Sequence, residues 1–230
     1  MGEFFWHVFN RGTDQRKIFL DAVDYHKFEK ALFLCNDATR KRKNAQSKYA
    51  DELNVKNNKP YVNILAYCLM PNHFHLLVEE LQPMGTSEFL GRVGNSYTKF
   101  FNVRYERTGR LFEAPYKRKV VNTTNYLTHL TRYIHLNPLD LILPGWKIDG
   151  IRNWEIVESF LCGYPWSSYK NYVFGEEKRF LNIAMLADAF ASPDDYQKFV
   201  KEWATRELPG FENVLFLPTR GVGRYPHVGY

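Results

Sequence analysis

The stretch YVNILAYCLMPNHFHLLVEE, from Tyr61 to Glu80, decides the fold of this chain. Two apolar runs with strand character are separated by Pro71, so the sequence predicts a hairpin-like pair of strands in one antiparallel sheet. The second run holds two histidines, His73 and His75, with Phe74 between them. Because residues i and i+2 of a strand point to the same face, both imidazoles are predicted to lie on one face of the sheet.

Further strands and helices alternate on either side of this pair. The segment from Phe4 to Gly12 alternates like a strand, and Arg110 to Val121 is a short, basic, strand-like piece. Apolar residues recur at helical spacing from Asp21 to Cys35 and from Ser87 to Tyr105. A third helix is predicted from Asn122 to Pro138, with Asn and Thr capping residues at its start and a proline that stops it.

The remaining segments are less regular. Residues 36–60 lose the helical periodicity and carry the basic run from Arg40 to Lys43, which we interpret as an exposed insertion whose charge serves mainly solubility. In the last third of the chain, Ser192 and Pro193 predict the start of a short helix. Residues 216–230 are rich in Gly and Pro and predict an extended, flexible tail.

Composition narrows the class of protein. The 230 residues include three cysteines, far apart and without a CxxC pair, which favours reduced thiols in the cytoplasm over a disulfide framework or a zinc ribbon. No signal peptide and no apolar stretch of membrane-spanning length is recognisable. A net charge of +6 and an aromatic content of 17% suit nucleic-acid binding, although many basic proteins bind none.

The third predicted helix supplies further candidate site residues besides the two histidines. Two imidazoles on one strand face can bind the same cation, but a lone HxH pattern more often forms hydrogen bonds in a polar patch. At about 100° per residue, Tyr126, Tyr133 and Asn137 fall on one stripe of the helix, with Tyr133 one turn before Asn137. A phenol and a carboxamide are therefore predicted to point in the same direction.

The motifs MPNHFHLLVE and YIHLNP, in this order, resemble the single-tyrosine HUH transposases (IS200-like), and among them the REP-associated tyrosine transposases. The segments HVFNRG and YPWSSY resemble the same family. The resemblance implies that His73 and His75 are metal ligands with Asn137 as a third, for Mg²⁺ or Mn²⁺, and that Tyr133 is the nucleophile. It also implies a partner, single-stranded DNA with a hairpin, that is cleaved through a 5′-phosphotyrosine intermediate and rejoined by a monomer or a homodimer.

The fold that we expect is α+β: a ferredoxin- or RRM-like central antiparallel sheet with helices on one face, plus an irregular C-terminal extension. We place the nuclease domain at residues 1–140 and a partly helical extension with a flexible tail at residues 141–230. Basic residues near the predicted site are candidate DNA-backbone contacts, with a merely solvated charged face as the alternative. They are Arg11, Arg104, Arg107, Arg110, Lys117, Arg118 and Lys119.

Two other classes of function stay open. A domesticated relative would bind hairpins in DNA or RNA without recombining them, and it would need no Tyr133. A zinc hydrolase would use His73, His75 and Cys68 with water as the nucleophile, although neither HExxH nor CxxC is present. Only the tyrosine nuclease forms a covalent protein–DNA adduct.

Overall fold

The computed structural model describes residues 4–39, 59–187 and 189–205. The basic run from Arg40 to Lys43 and the tail of residues 216–230 lie outside the described residues, so the interpretations of both stay predictions.

The centre of the molecule is a four-stranded antiparallel sheet. Its strands are β1 (Phe4–Arg11), β2 (Val62–Met70), β3 (His73–Glu80) and β4 (Lys117–Val121), and their order in the sheet is β2-β3-β1-β4. β2 and β3 form the predicted hairpin, joined by Pro71 and Asn72. β1 lies between β3 and β4, so the sheet is open, with β4 at one edge and β2 at the other. The predicted α+β class with a central antiparallel sheet is confirmed.

Two helices, α1 (Ala22–Leu34) and α2 (Gly85–Arg104), cover one face of the sheet. Both were predicted, and their bounds differ by one or two residues. The Asp21 carboxylate accepts hydrogen bonds from the first free backbone N–H groups of α1, which caps the helix. Phe28 of α1 and Phe89 of α2 pack with Leu76 of β3 in one apolar cluster.

A third helix, α3 (Thr124–Leu136), covers the opposite face. The Thr123 hydroxyl caps its start, and Leu127 and Ile134 pack towards the sheet as the helical stripe predicts. α3 ends at Leu136, shortly before Pro138, but the chain stays helical beyond it. Because proline lacks the N–H that would continue the α-helical ladder, the chain tightens instead into a 3-10 helix over Asn137–Leu141.

The expectation that the helices lie on one face of the sheet is therefore wrong. β2 is buried on both of its faces: Tyr67 and Leu69 pack in the cluster with α1 and α2, whereas Cys68 and Met70 pack in the cluster with α3. The physical reason is visible in the unbroken apolar run of β2, because a strand with one wet face alternates apolar and polar residues.

The described part of the C-terminal extension contains more helices than the one that the sequence predicted there. It contains α4 (Trp146–Asp149), α5 (Trp154–Gly163), α6 (Tyr169–Phe174), α7 (Ala184–Ala187) and α8 (Pro193–Ala204). α8 is the predicted helix, and the Ser192 hydroxyl caps it. Most of these helices are too short to show a 3.6-residue period, so sequence periodicity could not find them.

The extension also covers the outer edge of the sheet. The backbone N–H of Leu69 in β2 donates to the carbonyl of Trp166 at 2.8 Å, and the N–H of Ser168 donates to the carbonyl of Tyr67 at 3.0 Å. The three cysteines are free, as predicted. Within the residues that the structure describes, no helix is long and apolar enough to cross a membrane.

Candidate active site

Three histidines from two adjacent strands meet on the sheet face that carries α3. His73 and His75 lie on the same face of β3, as predicted, with ring centroids 5.1 Å apart. His7 of β1 lies beside them, and its Nε2 is 3.0 Å from Nδ1 of His75. Nδ1 of His73 is bound to the Asn72 side chain at 2.7 Å. Each ring of the pair on β3 thus uses Nδ1 in a hydrogen bond, and Nε2 remains as its second nitrogen.

α3 brings Tyr133 to these histidines within a single chain. The Tyr133 ring centroid lies 5.7 Å from that of His75 and 6.0 Å from that of His7, edge-on to both. The Asn137 side chain donates from Nδ2 to the Tyr133 carbonyl at 2.7 Å, which holds the carboxamide one turn beyond the phenol. The sequence-predicted residues His73, His75, Tyr133 and Asn137 therefore form one group.

Burial controls the protonation of this group. Burial lowers the pKa of His73 to about 4, although the Asp140 carboxylate opposes the shift. The pKa of His75 lies well below its ordinary value, first because of burial and then because of the neighbouring His73. Both imidazoles are hence neutral at neutral pH, the form in which they bind metal ions. Burial, followed by the charge of Asp140, raises the pKa of Tyr133, so its phenol is protonated.

One atom of the group, the side-chain oxygen of Asn137, is well suited to bind a divalent cation. Oδ1 of Asn137 is buried and makes no hydrogen bond of regular geometry within the described residues, and the Asn137 side chain lies close enough to His73 to raise the pKa of that ring. An unpaired buried oxygen costs roughly 1–3 kcal/mol, and a metal ion would satisfy it. Among the described residues no group of three His, Cys, Asp or Glu side chains could hold a metal ion, and the Asn137 oxygen is a further candidate ligand beside the two histidines of β3.

Three residues near the site were not identified from the sequence. The sequence does contain an indication of His7, because a histidine at an inward-facing position of an apolar strand is unusual. Asp140 and Lys147 have none, because they follow the motif in an unpatterned segment. Lys147 of α4 pairs with Asp140 at 2.9 Å and lies 5.9 Å from the centroid of the Tyr133 ring.

Three of the predicted DNA contacts lie on the face of the sheet that carries the site. Arg11 is the register partner of His73 and pairs with Glu113 at 2.9 Å. Lys117 and Lys119 of β4 pair in register with Phe9 and His7, respectively, and therefore share their face. Both lysines are exposed.

The other four predicted contacts are placed elsewhere. Arg118 points to the opposite face, where its guanidinium lies 4.2 Å from the centroid of the Trp6 ring. Arg104 pairs with Asp21 and with the buried Asp24 at the end of α2, and Arg107 donates to Asn102 in the same region. Arg110 is exposed in the loop between α2 and β4. The structure does not bring these four arginines to the histidines.

The first comparison is between this chain and sequence models of protein families. The sequence model of the family "Transposase IS200 like" matches residues 34–137, the segment that holds both histidines of β3, Tyr133 and Asn137. The predicted resemblance is thereby confirmed: residues 34–137 are similar to IS200-like transposases.

A more particular likeness is found among solved structures. The chain is similar to a protein described as "Structure of the REP associates tyrosine transposase bound to a REP hairpin", with a TM-score of 0.46 and 14% identity. The alignment covers 80% of this chain and 88% of that chain. No curated protein matches the chain in sequence.

Proposed function

We propose that this protein is a metal-dependent single-stranded DNA endonuclease and transposase, which cleaves beside a DNA hairpin and rejoins strands. The observation that carries the proposal is the convergence of Tyr133, Asn137 and the two histidines of β3 in one chain. The family match over residues 34–137 covers all four residues. The resemblance of the motifs to the REP-associated tyrosine transposases is what implies a hairpin beside the cleaved bond.

Tyr133 is the proposed nucleophile. Its phenolic oxygen attacks the scissile phosphorus, and the bond to the 3′-oxygen breaks, which leaves a 5′-phosphotyrosine and a free 3′-hydroxyl. The phenol gives up its proton on attack, and the departing 3′-oxygen takes one up. The ester conserves the energy of the broken bond, so a 3′-hydroxyl can reverse the step and join strands without ATP.

His73, His75 and Asn137 are the proposed metal ligands. A bound Mg²⁺ or Mn²⁺ would polarise the phosphate and offset the charge that grows in the transition state. Imidazole nitrogens favour Mn²⁺ over Mg²⁺, which requires mostly oxygen ligands. The protein contributes neutral rings, rigidly spaced on one strand, and an amide oxygen fixed by the hydrogen bond of its own Nδ2.

The single-chain arrangement supports catalysis by a monomer, in which the tyrosine serves the histidines of its own chain. A homodimer remains the alternative. The free cysteines support our placing of the protein in the cytoplasm. The zinc-hydrolase alternative loses support, because among the described residues, His73, His75 and Cys68 included, no group of three His, Cys, Asp or Glu side chains could hold a metal ion.

A labelled single-stranded DNA hairpin, incubated with the protein and Mn²⁺, tests the proposal. The wild type is expected to yield a protein–DNA adduct that survives denaturation, and Tyr133→Phe is expected to yield none, because it keeps the ring but lacks the nucleophilic oxygen. Tyr126→Phe, on the same helix two turns earlier, is the matched control and is expected to keep the adduct.

The outcomes separate the three classes of function. Hairpin binding without any adduct in the wild type would indicate the binding protein, and cleavage without an adduct would indicate a hydrolase. An adduct that persists in Tyr133→Phe, or one that is lost in Tyr126→Phe, would show that Tyr133 is not the nucleophile.

A further inference from the structure

His7 is completely buried next to a proposed metal ligand. It lies on β1, outside the segment that matches the transposase family, and none of its surface is exposed. Its Nε2 is 3.0 Å from Nδ1 of His75, and the two ring planes are inclined by 21° with centroids 5.2 Å apart, so the rings meet edge to edge as an N–H···N hydrogen bond requires. The contact crosses from one strand to the next on the face that carries the site.

A hydrogen bond between two neutral imidazoles has a direction. The two ring nitrogens lie 3.0 Å apart, so one of them must carry the proton of the hydrogen bond and the other must accept it. Either His75 donates from Nδ1 to Nε2 of His7, or His7 donates from Nε2 to Nδ1 of His75. In the first case Nε2 of His75 has a free lone pair, and in the second case it carries a proton and cannot bind a metal ion.

We infer that His7 is a positioning residue, which accepts the Nδ1 proton of His75 and so holds Nε2 of His75 ready for the cation. The inference rests on the proposed function, because that function supplies the cation. Metal-bound histidines commonly donate their other N–H to an acceptor that fixes the tautomer and the ring orientation. In this chain the acceptor is a third imidazole, which adds no charge to the buried site.

The other nitrogen of His7 supports a role beyond packing. If Nε2 accepts, Nδ1 must carry the proton, and Nδ1 is buried without a hydrogen-bond partner within the described residues. An unpaired buried N–H is unfavourable, so an apolar side chain would suit this position better if packing were its only task. His7 therefore leaves Nδ1 without a hydrogen bond while its Nε2 binds His75.

Three full-length proteins test the inference: wild type, His7→Gln and His7→Met. Gln places an acceptor oxygen close to the position of Nε2, whereas Met fills similar space without a comparable acceptor. Mn²⁺ binding in the absence of DNA is measured by calorimetry. We expect His7→Met to bind Mn²⁺ about 10- to 100-fold more weakly than the wild type, and His7→Gln to stay within a few fold.

The tautomer of His75 provides a second readout that does not depend on activity. In the metal-free wild type, nitrogen NMR is expected to find the proton of His75 on Nδ1. A proton on Nε2 would overturn the inference, and this measurement decides even if His7→Met fails to fold. Equal Mn²⁺ affinity of wild type and folded His7→Met would also overturn it, as would an equally large loss in His7→Gln.

Failure of the inference is distinguishable from failure of the proposed function. If the wild type forms the covalent DNA adduct while His7→Met binds Mn²⁺ normally, the function stands and the role of His7 falls. If Mn²⁺ affinity depends on His7 but the wild type forms no adduct, the role of His7 stands and the nuclease falls. If the wild type binds no Mn²⁺, both fall.

Discussion

Individual histidines near the site are distinguished by their hydrogen-bond partners: His7, His75 and His135 are buried, and His73 is partly buried. Nδ1 of His73 binds a side chain of the turn, whereas Nδ1 of His75 binds another imidazole. His135, two residues after Tyr133, has both nitrogens occupied: Nδ1 by the Tyr196 hydroxyl at 2.5 Å and Nε2 by Ser168 at 2.6 Å. His135 is therefore a structural residue that connects the tyrosine helix to the C-terminal extension.

The burial of His135 predicts a loss of stability in acid. Burial lowers its pKa to about 3, so between pH 6.5 and 3 the unfolded chain binds a proton that the folded chain does not. Stability therefore falls as the pH decreases through this range. Between pH 7 and pH 5 the contribution of such a residue is about 2 kcal/mol.

Urea unfolding of the metal-free protein at pH 7 and pH 5 measures this effect. His135→Gln has no titratable ring, so the decrease in its free energy of unfolding between the two pH values should be smaller than that of the wild type. Equal decreases would mean that His135 is charged in the folded protein or is protonated without cost.

At the scale of elements, β4 separates its basic residues between two faces of the sheet. Lys117 and Lys119 share the face of His7, while Arg118 between them packs on Trp6 on the other side. In the sequence the three residues form one basic run, but because side chains alternate along a strand they lie on different faces of the sheet. A DNA strand that enters the site along this edge would pass the two lysines and not Arg118.

Double substitution Lys117→Gln/Lys119→Gln should weaken hairpin binding and reduce its dependence on salt. The expected change in the slope of log affinity against log salt is about 0.7 per lost single-strand phosphate contact, hence about 1.4 for two contacts. Arg118→Gln is the matched control on the same strand and should leave the slope unchanged. A slope that responds to Arg118→Gln but not to the lysine pair would place the DNA on the other face.

At the scale of the whole molecule, the C-terminal extension completes the core beneath the site. Tyr172 and Tyr196 pack in the same cluster as Cys68, Leu130 and Ile134. The Tyr172 hydroxyl donates to the Leu65 carbonyl in β2 at 2.8 Å. The proposed division at residue 140 therefore separates the predicted nuclease motifs from segments that bury one face of their sheet.

Truncation tests whether this division is also a folding boundary. A chain that ends at Asp140 exposes the apolar surface of α3 and β2, so it should unfold without cooperativity or aggregate. A chain that ends at Thr205 keeps every helix described here and should unfold as the full chain does. Thermal unfolding followed by circular dichroism makes the comparison, and cooperative unfolding of the chain ending at Asp140 would establish residues 1–140 as an independent domain.

Sequence patterns predicted those structural features that depend on residues close together in the chain. The strand period placed His73 and His75 on one face, and the helical period placed Tyr133 one turn before Asn137. The order of the motifs predicted the family. The capping residues Asp21 and Ser192 predicted two helix starts.

The sequence by itself thus determined the strands, the main helices and the four residues of the proposed site, because periodicity and capping act between neighbours in the chain. Only the tertiary structure decided which face of the sheet α3 covers, that His7 contacts His75, and that Lys147 lies over Tyr133. These contacts join residues far apart in sequence. They depend on how the sheet buries both of its faces at once, and no local period encodes that.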